Sequence, residues 1–284
     1  MRNHWTTALV DGHVHIHPSF DAGRVLDAAA TNFARHMQAM GTSDFRGVLG
    51  VLMLAEADSV DRYAELRANA GKHTADSTLD DWLLTETPGR SPGLLASREG
   101  TPDLLLVPGR QVRSHERLEV LFLNTRETCA DDRPLRGILK NVRPEHAIVV
   151  LAWGVGKWLG RRGRIIDQVI QSRTRDHELL LGDNGGRPVC WTEPSQFNAG
   201  RQAGLKVLRG SDPLDLPDEE VRIGSFGSVI ETVIPHSDPV ATLADAILDP
   251  QLPLGNFGQL QRNARFLRNQ FGLRRRRQVP EPRP

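Results

Sequence analysis

Wholly apolar runs that alternate with amphipathic helical patterns constrain the fold of this chain more than any other feature. The run at 47–55 is too apolar for an edge strand, and it is typical of a strand buried on both faces of a parallel sheet covered by helices. Over 21–40 the apolar residues recur at intervals of three and four, which predicts an amphipathic helix that Gly41 ends. The same criteria predict further strands at 7–16, 103–107, 118–123, 146–153, 177–183 and 205–212. They predict further helices at 59–71, 134–141, 159–173, 194–203, 239–248 and 256–272.

This alternation predicts an α/β fold, and we expect a single distorted barrel of the (β/α)7 type, similar to a TIM barrel, over residues 1–272. A chain of 284 residues is long enough for one such domain. The Pro- and Gly-rich stretch 213–236 is expected to loop or to add short strands at the mouth of the barrel. Residues 273–284 have no apolar periodicity, and they are predicted to form a basic, disordered tail.

Charge is balanced over the whole chain, with 36 Lys and Arg against 35 Asp and Glu. The clearest local excess lies in the tail, where Arg274 to Arg277 are consecutive. This balance gives no global signal for nucleic-acid binding. The four arginines are expected to give at most weak, salt-sensitive docking to an acidic partner or a membrane surface.

The cellular compartment is predicted from the absence of a signal-peptide core, of a long apolar stretch and of a CxxC pattern. No stretch approaches 18 uncharged apolar residues, and the first residues lack the apolar core of a signal peptide, so neither export nor a membrane span is expected. The two cysteines, Cys129 and Cys190, form no CxxC pattern, which disfavours a disulfide scaffold or a thiolate zinc site. We therefore predict a cytoplasmic protein.

Histidines are concentrated at the start of the chain, where four of the ten fall within the first seventeen residues. Three of them alternate in the segment DGHVHIH at 11–17. Residues two apart on a strand point to the same face, so His13 and His15 are expected to present two imidazoles to one point. Neutral imidazoles suit Zn, Mn or Fe. His17 continues the alternation but precedes Pro18, so its participation stays open.

A DGHxHxH segment at the end of a first strand resembles the opening motif of two families of metal-dependent hydrolases. These are the amidohydrolase superfamily and the PHP (polymerase and histidinol phosphatase) family. Three later stretches are more similar to the PHP family, so the resemblance runs from residue 9 to about residue 214. They are LLVPGRQVRSHERLEVLFL (105–123), VVLAWGVGK (149–157) and VLRGSDPL (207–214).

The chain departs from the PHP pattern at four places. Gln111 stands where the family has a bridging Glu, and Glu119 stands where it has a hairpin His. Trp153-Gly154 replaces a His-Pro pair, and Leu214 replaces the final His. The resemblance therefore implies a divergent member with a reduced metal centre.

The ligand set that the resemblance implies is His13, His15 and Asp212, with Glu119 as a carboxylate replacement for an imidazole. It implies one or two divalent ions, while complete loss of the metal stays an alternative. Asp212 ends the strand predicted at 205–212, where it is expected to bind metal or to act as a general base. A simple turn before Pro213 explains the same sequence.

A glycine-rich turn at 153–164 contains Lys157, one of few lysines in the chain. Turn amides and a lysine at the start of a helix make an anion site, although a solvated basic helix face accounts for the segment nearly as well. Gln111, Asn184 and Arg187 are further candidates for binding a small anionic substrate because they lie near predicted strand ends.

Three functions follow from these residues. The first is a PHP-like hydrolase that cleaves a phosphate ester or another small anionic substrate through a metal-bound hydroxide, with Asp212 and Lys157 as catalytic residues. The second is an amidohydrolase-like enzyme that cleaves a C–N or C–O bond. The third is a barrel that has lost catalysis and serves as a binding or scaffold protein.

Overall fold

A computed structural model describes residues 3–41, 44–72, 79, 81–127, 130–141, 147–172 and 179–278. The strands are β1 (His4–Val14), β2 (Val48–Leu54), β3 (Leu83–Glu86), β4 (Leu94–Ser97), β5 (Asp103–Val107), β6 (Gly109–Arg113), β7 (Glu119–Leu123), β8 (Ile148–Ala152), β9 (Leu179–Asn184), β10 (Val207–Gly210), β11 (Phe226–Pro235) and β12 (Gly255–Gly258). The α-helices are α1 (Ala22–Ala39), α2 (Arg62–Arg67), α3 (Leu135–Asn141), α4 (Gly160–Ser172), α5 (Ser195–Gln202), α6 (Pro239–Leu248) and α7 (Asn263–Gln278).

The strands form two sheets with mixed strand directions. The larger has the order β12-β11-β1-β2-β5-β4-β3, and the smaller has the order β10-β9-β8-β7-β6. Parallel pairing is confined to β1 with β2, β2 with β5, β8 with β9, and β9 with β10. The other pairs are antiparallel. The residues that the structure describes therefore form an α/β fold with antiparallel flanks on both sheets.

The prediction of a single (β/α)7 barrel is wrong, because the described strands form two open sheets and no closed barrel. The alternation of strands and helices predicts parallel pairing, but short connections such as 98–102 and 114–118 hold no helix and join antiparallel neighbours. The stretch 213–236 contains the ten-residue strand β11, which pairs antiparallel with β1. Its β-branched run from Val229 to Ile234 was the available signal.

Apolar residues form three clusters that arrange the molecule in four layers. One cluster lies between the two sheets and includes residues of α6. The second joins the outer face of the larger sheet to α1 and α2, and the third joins the outer face of the smaller sheet to α3, α4 and α5. The strands β2 and β8 are buried at every position, which explains why their sequences are continuously apolar.

Most predicted elements coincide with observed ones to within a few residues. Asp21 caps α1 by accepting a hydrogen bond from the backbone N–H of Arg24 at 2.9 Å, and Gly41 follows the helix with φ of 79°. Helix α2 lies within the helix predicted at 59–71, and Asp61 caps its N-terminus. The predicted element ends at 146, 173 and 177 lie outside the described residues, as does Cys129.

The C-terminal expectation needs a correction. Helix α7 continues through Gln278, so the arginines at 274–277 are helical rather than part of a disordered tail. Strand β12 occupies the beginning of the helix predicted at 256–272. Residues 279–284 lie outside the described part of the chain. Within that part, no helix is long and apolar enough to cross a membrane.

Candidate metal centre

Two glycines allow β1 and β10 to approach each other closely at their C-terminal ends. A Cβ atom on Gly210 would lie 2.2 Å from the backbone N of His13, and one on Gly12 would lie 2.5 Å from Cγ of Leu208. The backbone N–H of Asp212 donates to the carbonyl of His13 at 2.9 Å. This contact brings the two sequence motifs, DGHVH and RGSD, together at one edge of the fold.

Three potential metal ligands meet at this edge. The Nε2 atoms of His13 and His15 are 3.0 Å apart. Oδ1 of Asp212 lies 3.6 Å from Nε2 of His13 and 3.5 Å from Nε2 of His15. His13 is buried and the other two are half-buried. Among the described residues, these three form the group of His, Cys, Asp or Glu side chains whose ligand atoms are close enough to hold one ion.

The distances fit a single small ion. Two ligand atoms about 2.0–2.2 Å from one zinc ion in tetrahedral geometry lie roughly 3.3–3.6 Å apart. Both contacts of Asp212 fall within this range. The histidine pair is slightly closer, as a hydrogen bond between two imidazoles also allows. Two histidines and one carboxylate form a donor set that suits Zn, Mn or Fe.

The electrostatics keep His15 and Asp212 in the protonation states that metal ligands require. Burial, reinforced by the neighbouring His13, lowers the pKa of His15 to about 3, so this imidazole is neutral at physiological pH. Burial opposes the ionisation of Asp212, but His13, His15 and Lys157 outweigh it and hold the pKa of this carboxyl below its ordinary value. A neutral imidazole and a carboxylate are the ligating forms.

Asp11 fixes the backbone beneath this cluster. Its carboxylate is fully buried, and it accepts hydrogen bonds from the backbone N–H groups of Ser211 and Gly224, each at 2.8 Å, and of His13 at 3.4 Å. Burial raises the pKa of Asp11 to about 6, although these hydrogen bonds act in the opposite direction. The side chain thus ties together the segments that bear His13 and Asp212.

Two carboxamides extend the cluster. Oε1 of Gln111 lies 3.2 Å from Nε2 of His13, so the residue at the position of the family's bridging Glu does reach the predicted centre. Nδ2 of Asn184 donates to Oδ2 of Asp212. Since Asn184 occupies Oδ2, Oδ1 is the carboxylate oxygen that faces the histidines. This arrangement favours a ligand role for Asp212 over a general-base role.

Glu119 and Lys157 form a separate pair in the same cleft. Nζ of Lys157 donates to Oε1 of Glu119, and both side chains are partly exposed. Lys157 lies on the predicted turn, where its backbone N–H donates to the carbonyl of Gly154 at 2.9 Å. Glu119 does not belong to the group of three close ligands, contrary to the ligand set implied by the resemblance.

Arg187, a predicted substrate-binding residue, is not among the residues that line the cleft. Its guanidinium donates to both oxygens of buried Asp183 at 3.1 and 3.0 Å and to the carbonyl of Trp191 at 3.0 Å. These bonds use three of its five N–H groups and hold the side chain in a buried ion pair. His17 lines the cleft, and its Nε2 donates to the carbonyl of Pro213 at 3.0 Å.

The cleft has a volume of about 420 Å³ and is lined by strands of the smaller sheet, by the loops after β1, β2, β8 and β10, and by α7. Sequence reasoning missed four of its polar side chains, which are Glu56, Asp215, Gln261 and Gln270. Glu56 comes two residues after the end of β2, so its position after a buried strand was a usable signal. Gln261 and Gln270 come from the last segment of the chain, and no local pattern in the sequence marks them.

Comparisons with known proteins identify a similar fold. The chain matches no protein-family model and no curated protein. Its structure is similar to the crystal structure of PsfC from Pseudomonas syringae PB-5123, with a TM-score of 0.52 and 14% sequence identity, over 97% of this chain and 99% of that one. At this identity the likeness concerns the fold alone, and it extends over the whole length of both chains.

Proposed function

We propose that this protein is a metal-dependent hydrolase with one divalent ion held by His13, His15 and Asp212. The observation that carries the proposal is the convergence of their three ligand atoms at the end of β1. The motif resemblance to the PHP family agrees with this chemistry and stays a hypothesis about ancestry. The spacing of the cysteines agrees with action in a reducing cytoplasm.

Each neighbouring side chain has a role in this proposal. When bound, a divalent ion supplies a Lewis acid that lowers the pKa of water towards neutrality. Asn184 orients the carboxylate of Asp212, and Gln111 offers an oxygen next to His13. Lys157 neutralises negative charge that develops on the substrate during hydrolysis.

Charge in the cleft limits the substrate. Lys157 is the one Lys or Arg among the described lining residues, and Glu119 already pairs with it. Glu56 and Asp215 add further carboxylates to the lining. A substrate with one small anionic group, such as a phosphate ester, is compatible with one lysine and one divalent ion, whereas a highly charged substrate is not.

The test is hydrolysis by the full chain after removal of metal with a chelator and addition of Zn, Mn or Fe singly. The substrates are aryl phosphates, aryl esters, lactones and amides. We expect activity on a phosphate ester that a chelator abolishes, that one metal restores, and that His13→Ala loses. His115→Ala is a matched control because His115 is exposed.

Other outcomes would replace the proposal. Metal-dependent cleavage of amides or lactones without cleavage of phosphate esters would favour the amidohydrolase-like alternative. Metal-independent hydrolysis, or no hydrolysis in a protein that binds no metal, would refute the proposed function. The second of these results would favour the binding or scaffold alternative.

A further inference from the structure

Helix α7 is attached to the rest of the fold through one of its sides. Nδ2 of Asn269 donates to Oε1 of Glu219 at 3.0 Å, and both residues are buried. Nη2 of Arg265 donates to the same oxygen at 3.0 Å. Gly272 packs so closely against Leu216 that a Cβ atom on this glycine would lie 3.2 Å from Cδ2 of the leucine. These contacts fix the orientation of the helix and turn its opposite side towards solvent.

Two large apolar side chains occupy the solvent side of α7. Leu267 is 56% exposed and Phe271 is 62% exposed. They are four residues apart, so they lie next to each other on one face of the helix. Single exposed apolar residues are common on protein surfaces, whereas adjacent ones form a contiguous patch of the kind found at interaction sites.

Arginines border this apolar pair on both flanks. With 3.6 residues per turn, Arg268 and Arg275 lie on one flank and Arg274 lies on the other. All three are exposed, and none of them forms an ion pair with a carboxylate among the residues that the structure describes. The sequence of α7 contains no Asp or Glu. The exposed face of this helix is therefore both apolar and positively charged.

The charge of this face selects an anionic partner, and its apolar pair indicates which kind. Nucleic-acid phosphates would pair with the arginines, but they offer no apolar partner to Leu267. A groove on a protein takes a helix through apolar anchors that continue to position i+7, whereas the residue seven positions after Leu267 is Arg274. An anionic lipid bilayer matches both features, because apolar side chains enter the boundary between headgroups and acyl chains while guanidinium groups reach the lipid phosphates.

We propose that α7 docks this protein reversibly to an anionic lipid bilayer through Leu267, Phe271, Arg268, Arg274 and Arg275. The helix lies along the bilayer surface, with its two apolar side chains in the headgroup region. Two such side chains alone give weak attachment, so anionic lipid supplies the remaining attraction, and salt weakens it. This inference is independent of the proposed function, because none of these five residues lines the cleft.

Cosedimentation of the full chain with lipid vesicles tests the proposal. Vesicles of phosphatidylcholine that contain phosphatidylserine at about 30 mol% are compared with vesicles of phosphatidylcholine alone. We expect at least about tenfold tighter binding to the anionic vesicles and a smaller preference as the salt concentration rises. Equal binding to both kinds of vesicle, or binding to neither at low salt, would overturn the proposal.

Removal of the positive charge is expected to have the largest effect. The triple variant with Arg268→Gln, Arg274→Gln and Arg275→Gln should bind anionic vesicles about 100-fold more weakly, since each arginine near such a surface contributes about fivefold. The matched control removes the same charge from three exposed arginines outside α7, which are Arg113, Arg133 and Arg136. A similar loss in the control would show that the overall charge drives binding, and it would overturn the role of this face.

A double variant with Leu267→Gln and Phe271→Gln tests the apolar pair. We expect about tenfold weaker binding to anionic vesicles, because less apolar area is buried in the lipid. The Tm should stay close to that of the wild type, since both side chains are exposed. Val233→Gln is the control because Val233 is 59% exposed on β11. Unchanged affinity of the double variant would mean that this face binds anions by charge alone, and it would overturn docking to a bilayer.

A fluorescent side chain locates the contact directly. In a Phe271→Trp variant, lipids brominated in their acyl chains should quench the added fluorescence relative to the wild type, whose five tryptophans give the reference signal. Absence of this quenching in vesicle-bound protein would overturn the proposed orientation of α7. Tighter binding to a nucleic-acid duplex or to poly-glutamate than to the anionic vesicles, with the same three arginines required, would identify that polyanion as the partner instead of the bilayer.

Discussion

Two polar clusters share one cleft and differ in how their charges are balanced. In the pair of Lys157 and Glu119, opposite charges neutralise each other within the protein. In the cluster of His13, His15 and Asp212, three electron-pair donors converge, and no described Lys or Arg forms an ion pair with the carboxylate. The charges of the first cluster are balanced without a ligand, whereas the second cluster has the composition of a site that binds a cation.

This difference concerns energetics as well as composition. A partly exposed ion pair contributes only modestly to stability, so the lysine and the glutamate can separate when a charged substrate arrives. Burying two imidazoles next to a carboxylate costs free energy unless a bound ion or hydrogen bonds compensate for it. The comparison therefore predicts strong metal dependence at one cluster and charge selectivity at the other.

The largest effect is expected from removing a ligand. His15→Ala should weaken zinc binding by more than about 100-fold, because one of three protein ligands is lost. Asp212→Asn tests the carboxylate: Asp212 has a left-handed backbone with φ of 45°, which Asn tolerates well. Competition with a chromophoric chelator measures the affinity. Zinc binding by His15→Ala within about threefold of the wild type would show that the cluster is not a metal site.

An intermediate effect is expected from the charge pair. Lys157→Met should raise KM for an anionic aryl phosphate by about fivefold, because the cation is lost and Glu119 is left unpaired. Glu119→Gln should lower that KM, since it frees the lysine. Zinc affinity should stay unchanged in both variants, and Lys72→Met at an exposed position is the control. Equal changes for a neutral aryl ester would contradict a role in charge selectivity.

The smallest effect is expected from Glu56, a buried carboxyl at the edge of the cleft. Burial raises its pKa above the ordinary value of 4.5, although the N–H of Tyr63 and the Arg110 guanidinium act in the opposite direction. The folded state therefore keeps this proton to higher pH than the unfolded state, and the free energy of unfolding falls as pH rises between the two pKa values. The Glu56→Gln variant has no carboxyl at this position, so its free energy of unfolding should not show this decrease.

Urea unfolding at a series of pH values from 4.5 upwards measures the effect. The stability of the wild type relative to Glu56→Gln should decrease as pH rises. The exposed Glu99→Gln variant should show no such trend. A difference that grows with pH would mean that Arg110 dominates over burial at this carboxyl.

Local sequence patterns predicted the elements of the fold well and their arrangement poorly. Strand β5 was predicted at its observed bounds, because a strand that is buried along its length consists of consecutive apolar residues. The residue types of a strand do not determine whether it pairs parallel or antiparallel with its neighbour. The antiparallel partner of β1 lies in β11, more than 200 residues later, within a stretch whose Pro and Gly content favoured loops.

The same distinction applies to the site. The meeting of His13 and His15 was predictable from the two-residue period of a strand, and Asp212 from its place after one. Arg187 carried the same signal, yet Asp183 four residues earlier holds it in a buried ion pair. Gln261 carried no signal, because no local pattern in the sequence places it in the wall of the cleft.

The place of β1 between β2 and β11 has a consequence for folding. Its histidines belong to the first segment of the chain, but His4 pairs with Pro235, and Asp212 also comes from the last third. Contacts between such distant segments form slowly, because the entropy of closing the long loop is lost before they stabilise the chain. The three ligands are therefore assembled only when both ends of the chain have come together, and zinc binding during refolding would report that late step.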